Sequence, residues 1–148
     1  PQQGENVMDA NIPLIRLSEA YLNAAEAAAK LTAAGDDHNA EAALYLDAIV
    51  NRANPDKHVV ADNQITLNQV LEERRKELVG EGHRMFDLLR NGMKVKRIKE
   101  SNKQLSKTKH TCSDEYMTIG LDNYKIVLPI PQYERNVSHI PNNPGYGE

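Results

Sequence analysis

The stretch Glu72-Glu73-Arg74-Arg75-Lys76-Glu77-Leu78-Val79-Gly80-Glu81-Gly82-His83-Arg84-Met85-Phe86-Asp87-Leu88-Leu89-Arg90 reads as helix, glycine break, helix. It also carries charge where a helix ordinarily keeps its apolar face. A stripe that starts at Leu67 continues through Val70, Leu71, Arg74 and Leu78, then Glu81 or Gly82, Met85 and Leu89. Arg74 and Glu81 therefore fall among hydrophobic side chains. A charge in that position must be paired and hydrogen-bonded, because an unpartnered buried ion costs several kcal/mol. Such an arrangement is either an ion-pair cluster that joins helices or a catalytic constellation.

The same residues carry a resemblance. The fragment E-R-R-K-E-L-x-x-E-G-H-R-x-F-D-L-L-R, from Glu72 to Arg90, resembles the C-terminal region of the SusD/RagB family. That family's pattern runs E-R-R-x-E-L, an aromatic residue, then E-G-x-R-W-x-D-L-x-R. Gly80 stands where the aromatic is usual and Met85 where tryptophan is usual, while the charged skeleton is kept. Toward the C-terminus, Leu128-Pro129-Ile130-Pro131 followed by Asn142-Asn143-Pro144-Gly145-Tyr146 resembles the family's closing signature. The resemblance spans about Ile12 to Tyr146 and is poor between Met93 and Tyr116. It implies a surface lipoprotein that binds glycans or other nutrients, in some members peptides, and passes them to a TonB-dependent, SusC-like transporter. The implied location is the outer membrane, on the cell-surface side, through a lipid anchor upstream of this sequence. Family members are several times longer, so the chain corresponds to a C-terminal fragment.

Working outward from the motif, two helices precede it. Asn11 is placed to cap the first, with Pro13 in the first turn, where a missing N–H is harmless. Leu14, Leu17, Tyr21, Ala24, Ala28 and Leu31 recur at helical spacing and are expected to face the core, and Gly35 closes the helix. Ala20, Ala24, Ala25, Ala27, Ala28 and Ala29 would let a neighbouring helix approach closely. A second helix is expected with Ala42, Tyr45, Leu46, Ile49, Val50 and Ala53 on one side, stopping at Asn54-Pro55. The pair reads as one tetratricopeptide-like hairpin, which cannot bury its apolar face alone. Thr66-x-x-Gln69 matches a capping box for the third helix. Gly80 and Gly82 should break it, leaving a short helix from about His83 to Arg90 ended by Asn91-Gly92. On that helix Arg84, Asp87 and Arg90 are spaced to pair.

The remaining segments differ in character. Lys94, Lys96, Arg97, Lys99, Lys103, Lys107 and Lys109 make a basic stretch without interleaved aromatics, read as a solvated loop rather than a nucleic-acid site. Tyr124, Ile126 and Leu128 alternate with Lys125 and Val127, which predicts a short strand; Pro129 and Pro131 confine it to an edge or a strap. Asn143-Pro144-Gly145-Tyr146 suits a type II turn. The expected fold is thus mainly α: a tetratricopeptide-like hairpin, a long broken helix and an irregular extended C-terminal strap. One domain is expected over 1–148, helical over 12–92, with a basic variable loop over 93–115 and the strap over 116–148.

Composition narrows function by exclusion. The 148 residues carry a net charge of -3, which makes no electrostatic case for nucleic acid. No apolar run approaches the ~20 residues of a bilayer-spanning helix. Cys112 is the single cysteine, so neither an internal disulfide nor a thiolate metal cluster is expected, and it is read as a lone loop thiol. His38, His58, His83, His110 and His139 follow no ligand spacing, and no Glu-x-x-His or His-Glu-x-x-His motif occurs. Glu72, Glu73, Glu77 and Glu81 could supply an acid and a base for glycoside hydrolysis, but Arg74, Arg75, Arg84 and Arg90 would keep them ionised. Sugar sites favour aromatic faces; with no Trp, Phe86 and Tyr21 assigned to the core, Tyr116, Tyr124, Tyr133 and Tyr146 remain, each expected to pack the tail. No catalytic, cofactor or metal residue is assigned, the ligand-contacting residues are unknown, and no cofactor is expected. Two other readings stay open at this stage: an intracellular tetratricopeptide-type peptide-binding adaptor, and a glycosidase.

Overall fold

A computed structural model describes residues 15–96 and 117–147. The chain forms two compact units, Pro1–His83 and Arg84–Glu148. Asn11, Pro13 and Leu14, most of the basic stretch, His110, Cys112 and Tyr116 lie outside the described residues.

The first unit is three packed helices: α1 (Leu17–Ala34), α2 (Asn39–Ala53) and α3 (Leu67–Glu77). Helix α1 starts at Leu17, after Arg16 in an extended conformation (φ -99°, ψ 149°). Its far end is closed by Gly35 at φ 111°, with the N–H groups of Gly35 and Asp36 bonded back to Thr32 and Leu31 carbonyls. Only glycine adopts that left-handed geometry without strain. Helix α2 stops at Asn54, ahead of Pro55, as the sequence indicates.

The core joins Leu22, Ala25, Ala28 and Ala29 of α1 to Ala42, Ala43, Leu46 and Ile49 of α2 and Val70 of α3, with Ile65 beneath. Tyr21 and Tyr45 close one edge in a T-shaped contact, centroids 5.9 Å apart. The alanine seam is therefore real, but it is rotated from its expected position: Leu17 and Leu31 are exposed, at 73% and 43%, and Leu22 is fully buried. Helix α1 is apolar on more than one side, so its periodicity permits two stripes, and its packing against α2 selects the one centred on Leu22 and Ala25. Ala53 is likewise exposed rather than inward-facing.

The connection from α2 to α3 is held by side chains of α2. Asn39 accepts from the Ile65 N–H at 2.7 Å and donates to the carbonyls of Ala61 and Asn63, both at 3.1 Å. Asp47 accepts from the Val59 N–H at 2.6 Å. These bonds satisfy loop backbone groups that no ladder serves. Thr66 then caps α3 in a complete capping box: its hydroxyl accepts from the Gln69 N–H, and the Gln69 side chain accepts from the Thr66 N–H at 2.8 Å. Thr66→Ala is expected to lower stability by about 1 kcal/mol, read as a shift in the denaturation midpoint.

The second unit contains most of α4 (His83–Arg90), a two-stranded antiparallel sheet of β1 (Val95–Lys96) and β2 (Thr118–Ile119), and α5 (Gln132–Ser138). Val95 pairs with Ile119 and Lys96 with Thr118. The expected strand at Tyr124–Leu128 is absent, since Tyr124–Ile126 is a 3₁₀ turn whose start is bonded to the Asn123 side chain. Alternation over five residues cannot tell a strand from a single tight turn, and among the described residues no neighbouring strand completes a ladder here. Helix α5 interrupts the expected extended strap. It begins after Pro131, whose ring fixes φ near -53°, and ends at His139 in the left-handed region (φ 54°). The turn at Asn143–Tyr146 forms as read: Gly145 has φ 93°, and the Tyr146 N–H donates to the Asn143 carbonyl. A Cβ at Gly145 would lie 2.5 Å from the Tyr124 ring, so glycine is required for space as well as for φ.

Candidate functional site

Arg74 is buried, 4% exposed, as its place in the stripe requires. Its partners come from α1, across the helix interface: Glu19 at 3.2 Å and the Asn23 side-chain carbonyl at 2.8 Å. Glu19 and Asn23 are four apart on α1, so both face α3. No local spacing around Arg74 could have named them, because their sequence separations are 55 and 51 residues.

One turn on, Glu77 is a junction of three elements. Its carboxylate receives Arg16 at 3.2 Å and Arg52 at 2.6 Å, and its backbone carbonyl accepts from Arg16 at 2.8 Å. Arg16 also reaches Glu81 at 2.7 Å. The Glu81 hydrogen bond, helped by the charges of Glu81 and Glu77, raises the Arg16 pKa above its ordinary value. The start of α1, the end of α2 and the end of α3 are thus tied through two arginines. Glu81 itself is exposed, contrary to its place in the sequence stripe. The reason is the backbone: Gly80 and Gly82 have φ of 84° and 80°, which ends the helical periodicity at Leu78.

Beyond the break, the short helix runs from His83 to Arg90 and ends at Asn91-Gly92, as read. Asp87 is buried and accepts from Arg90 at 2.9 Å, one of the pairings that the spacing predicts. Arg84 is half-buried. Phe86 is not a core residue, being 68% exposed, and Met85 is 41% exposed. Together with Leu89, Leu121, Ile126 and Arg90 they line a shallow apolar depression of about 470 Å³ within the second unit.

The four carboxylates considered for catalysis are each held by a cation. Glu72 pairs with Arg75 at 2.8 Å, Glu73 with Lys76, Glu77 with Arg16 and Arg52, and Glu81 with Arg16. A general acid needs an environment that favours the protonated form, and cations favour the ionised one. The histidines stay dispersed: His38 sits 3.0 Å from Glu41 and His58 3.5 Å from Asp47. Among the described residues no group of three potential ligands could hold a metal ion. Of the tail tyrosines, Tyr124 and Tyr146 pack edge-to-face at 5.0 Å, and the Tyr146 hydroxyl donates to the Val127 carbonyl. Tyr133 is 79% exposed.

The geometry is one of internal ion pairs, several of them between helices. Residues 2–146, almost the whole chain, match the SusD family. The chain belongs to the SusD family. A proposed sugar-binding protein from Bacteroides vulgatus ATCC 8482 is 54% identical, with a TM-score of 0.82 over 99% of this chain and 31% of its own. A SusD superfamily protein from the same strain is 44% identical, with a TM-score of 0.72 over 91% of this chain and 28% of its own. A third, from Bacteroides thetaiotaomicron VPI-5482, is 38% identical, with a TM-score of 0.68 over 95% of this chain and 29% of its own. No curated protein matches significantly. The SusD-family chain described here thus spans about a third of the length of these solved relatives. Among its described residues, no helix is long and apolar enough to cross a membrane.

Proposed function

We propose that these residues are the C-terminal scaffold of a SusD-type surface lipoprotein. The whole protein captures glycans or related nutrients at the outer membrane and delivers them to a TonB-dependent transporter. The observation that carries this reading is the 54% identity, over nearly the full chain, to a protein proposed to bind sugar. The paired state of Glu72, Glu73, Glu77 and Glu81 supports binding without hydrolysis. Membership of the SusD family speaks against the adaptor alternative. Within the scaffold, the helical part over 12–92 and the closing segment over 116–148 belong to a single larger domain, while most of the basic stretch over 93–115 lies outside the described residues.

The test uses the full-length protein against a panel of soluble glycans and peptides, with heat of binding and release of reducing ends measured in parallel. Saturable binding of at least one glycan, with no new reducing ends, is the expected result. Turnover of the bound glycan would replace this reading with that of a glycosidase. Copurification of the full-length protein with a candidate TonB-dependent transporter tests the delivery step separately.

A further inference from the structure

Helix α4 ends on the only Asn-Gly pair in the sequence, Asn91-Gly92. The end is a Schellman cap: the Gly92 N–H donates to the Leu89 carbonyl and the Met93 N–H to the Leu88 carbonyl, both at 2.9 Å. Gly92 takes φ 68°, which glycine adopts without strain. The Asn91 side-chain amide donates to the Asp87 carbonyl at 2.8 Å, giving a partner to a carbonyl near the helix end. These bonds engage both groups that spontaneous reaction at Asn-Gly requires. The nucleophile is the Gly92 backbone nitrogen, and the electrophile is Cγ of the Asn91 side chain. Glycine has no Cβ to hinder their approach when the chain is free. In the cap, the nitrogen's proton is committed to Leu89 and the side-chain amide is held against Asp87.

We propose that Asn91 is a deamidation site gated by the α4 cap, inert while the cap is closed and converted once it opens. In the open chain the Gly92 nitrogen gives up its proton and bonds to Asn91 Cγ. The Cγ–Nδ2 bond breaks, and the amide nitrogen leaves as ammonia with that proton. Water then opens the resulting succinimide ring at either carbonyl, giving aspartate or isoaspartate without any oxidant or reductant. Neither product can rebuild the cap. An aspartate at position 91 sets an acceptor against the Asp87 carbonyl where a donor stood. It also adds negative charge at a helix C-terminus, where the dipole opposes it. The new carboxylate lies four residues from the buried Asp87, an unfavourable like-charge spacing. Isoaspartate inserts a methylene into the backbone, so the Gly92 and Met93 N–H groups lose their register with Leu89 and Leu88. One opening of the cap is thereby made permanent. The bonds concerned lie within residues 87–93, and the inference is independent of which nutrient the whole protein binds.

The experiment incubates the full-length protein at mildly alkaline pH, native in one arm and unfolded in guanidinium chloride in the other. Peptide mass spectrometry reads the conversion of Asn91 over time. Conversion should be about a hundredfold or more slower in the native arm, since reaction there waits on local opening. Met93→Pro removes one cap donor and keeps the Asn-Gly pair, so its native-state conversion should rise about tenfold or more above the parent's. Equal rates in the native and unfolded parent would overturn the gating, as would a folded Met93→Pro variant that converts no faster. No conversion in the unfolded arm would overturn the site itself. The parent comparison needs no variant, so it decides even where Met93→Pro does not fold. Asn91→Asp should have a lower denaturation midpoint than the parent, and an unchanged midpoint would show that the product does rebuild the cap. Glycan binding enters none of these readings, so its loss would count against the proposed function alone.

Discussion

Replacing Arg74 with methionine in the full-length protein is expected to lower the unfolding free energy by about 3–5 kcal/mol, the loss typical of breaking a buried ion pair. The guanidinium is almost wholly buried and bonded to both Glu19 and Asn23 of α1. Removing it leaves the Glu19 carboxylate facing an apolar side chain, with its desolvation uncompensated. The double variant Arg74→Met, Glu19→Met should recover much of the loss, because neither charge then remains in the interface. Chemical denaturation followed by circular dichroism measures both. A single variant as stable as the parent would show that the pair does not join the helices.

Leu22→Ala should lose about 2–5 kcal/mol by a different mechanism. Leu22 is fully buried at the centre of the α1–α2 seam, between alanines that cannot extend to fill the space. The cost combines lost transfer free energy with the cavity left behind, and the small neighbours argue for the upper part of that range. Under the sequence expectation, in which Leu17 and Leu31 faced the core, Leu17→Ala would have been the damaging change. With Leu17 exposed at 73%, its effect on the stability of these three helices should be small beside that of Leu22→Ala. Denaturation midpoints of the two variants discriminate the two stripes directly.

The charged motif shows how far a linear pattern reaches. Period and composition were enough to place Arg74 on a buried face and to end α3 at the double glycine. They also located α4 between His83 and Arg90, for there the hydrophobic period and the capping residues agree. The same period carried Glu81 and Met85 inward, and there it failed. Two positive-φ glycines interrupt the helix, so a helical count carried through them loses its basis. Phe86, assigned to the core although it lies off that stripe, is exposed as well. In the tail, proline marked the limits of regular structure, but five alternating residues could not separate a strand from a 3₁₀ turn, and α5 was missed.

What the sequence determined by itself were the local choices: where helices begin and stop, which residues cap them, where the chain must turn, and that Arg74 needs a partner. These follow from backbone propensity, side-chain period and the cost of a buried ion, all legible within a few neighbouring residues. Only the tertiary structure decided that the partner is Glu19 and that Glu77 gathers Arg16 and Arg52. It alone decided, too, that α1 turns Leu22 rather than Leu17 toward α2. Those outcomes depend on how separate helices rotate to fill space and neutralise charge together, and residues fifty positions apart leave no periodic trace of one another.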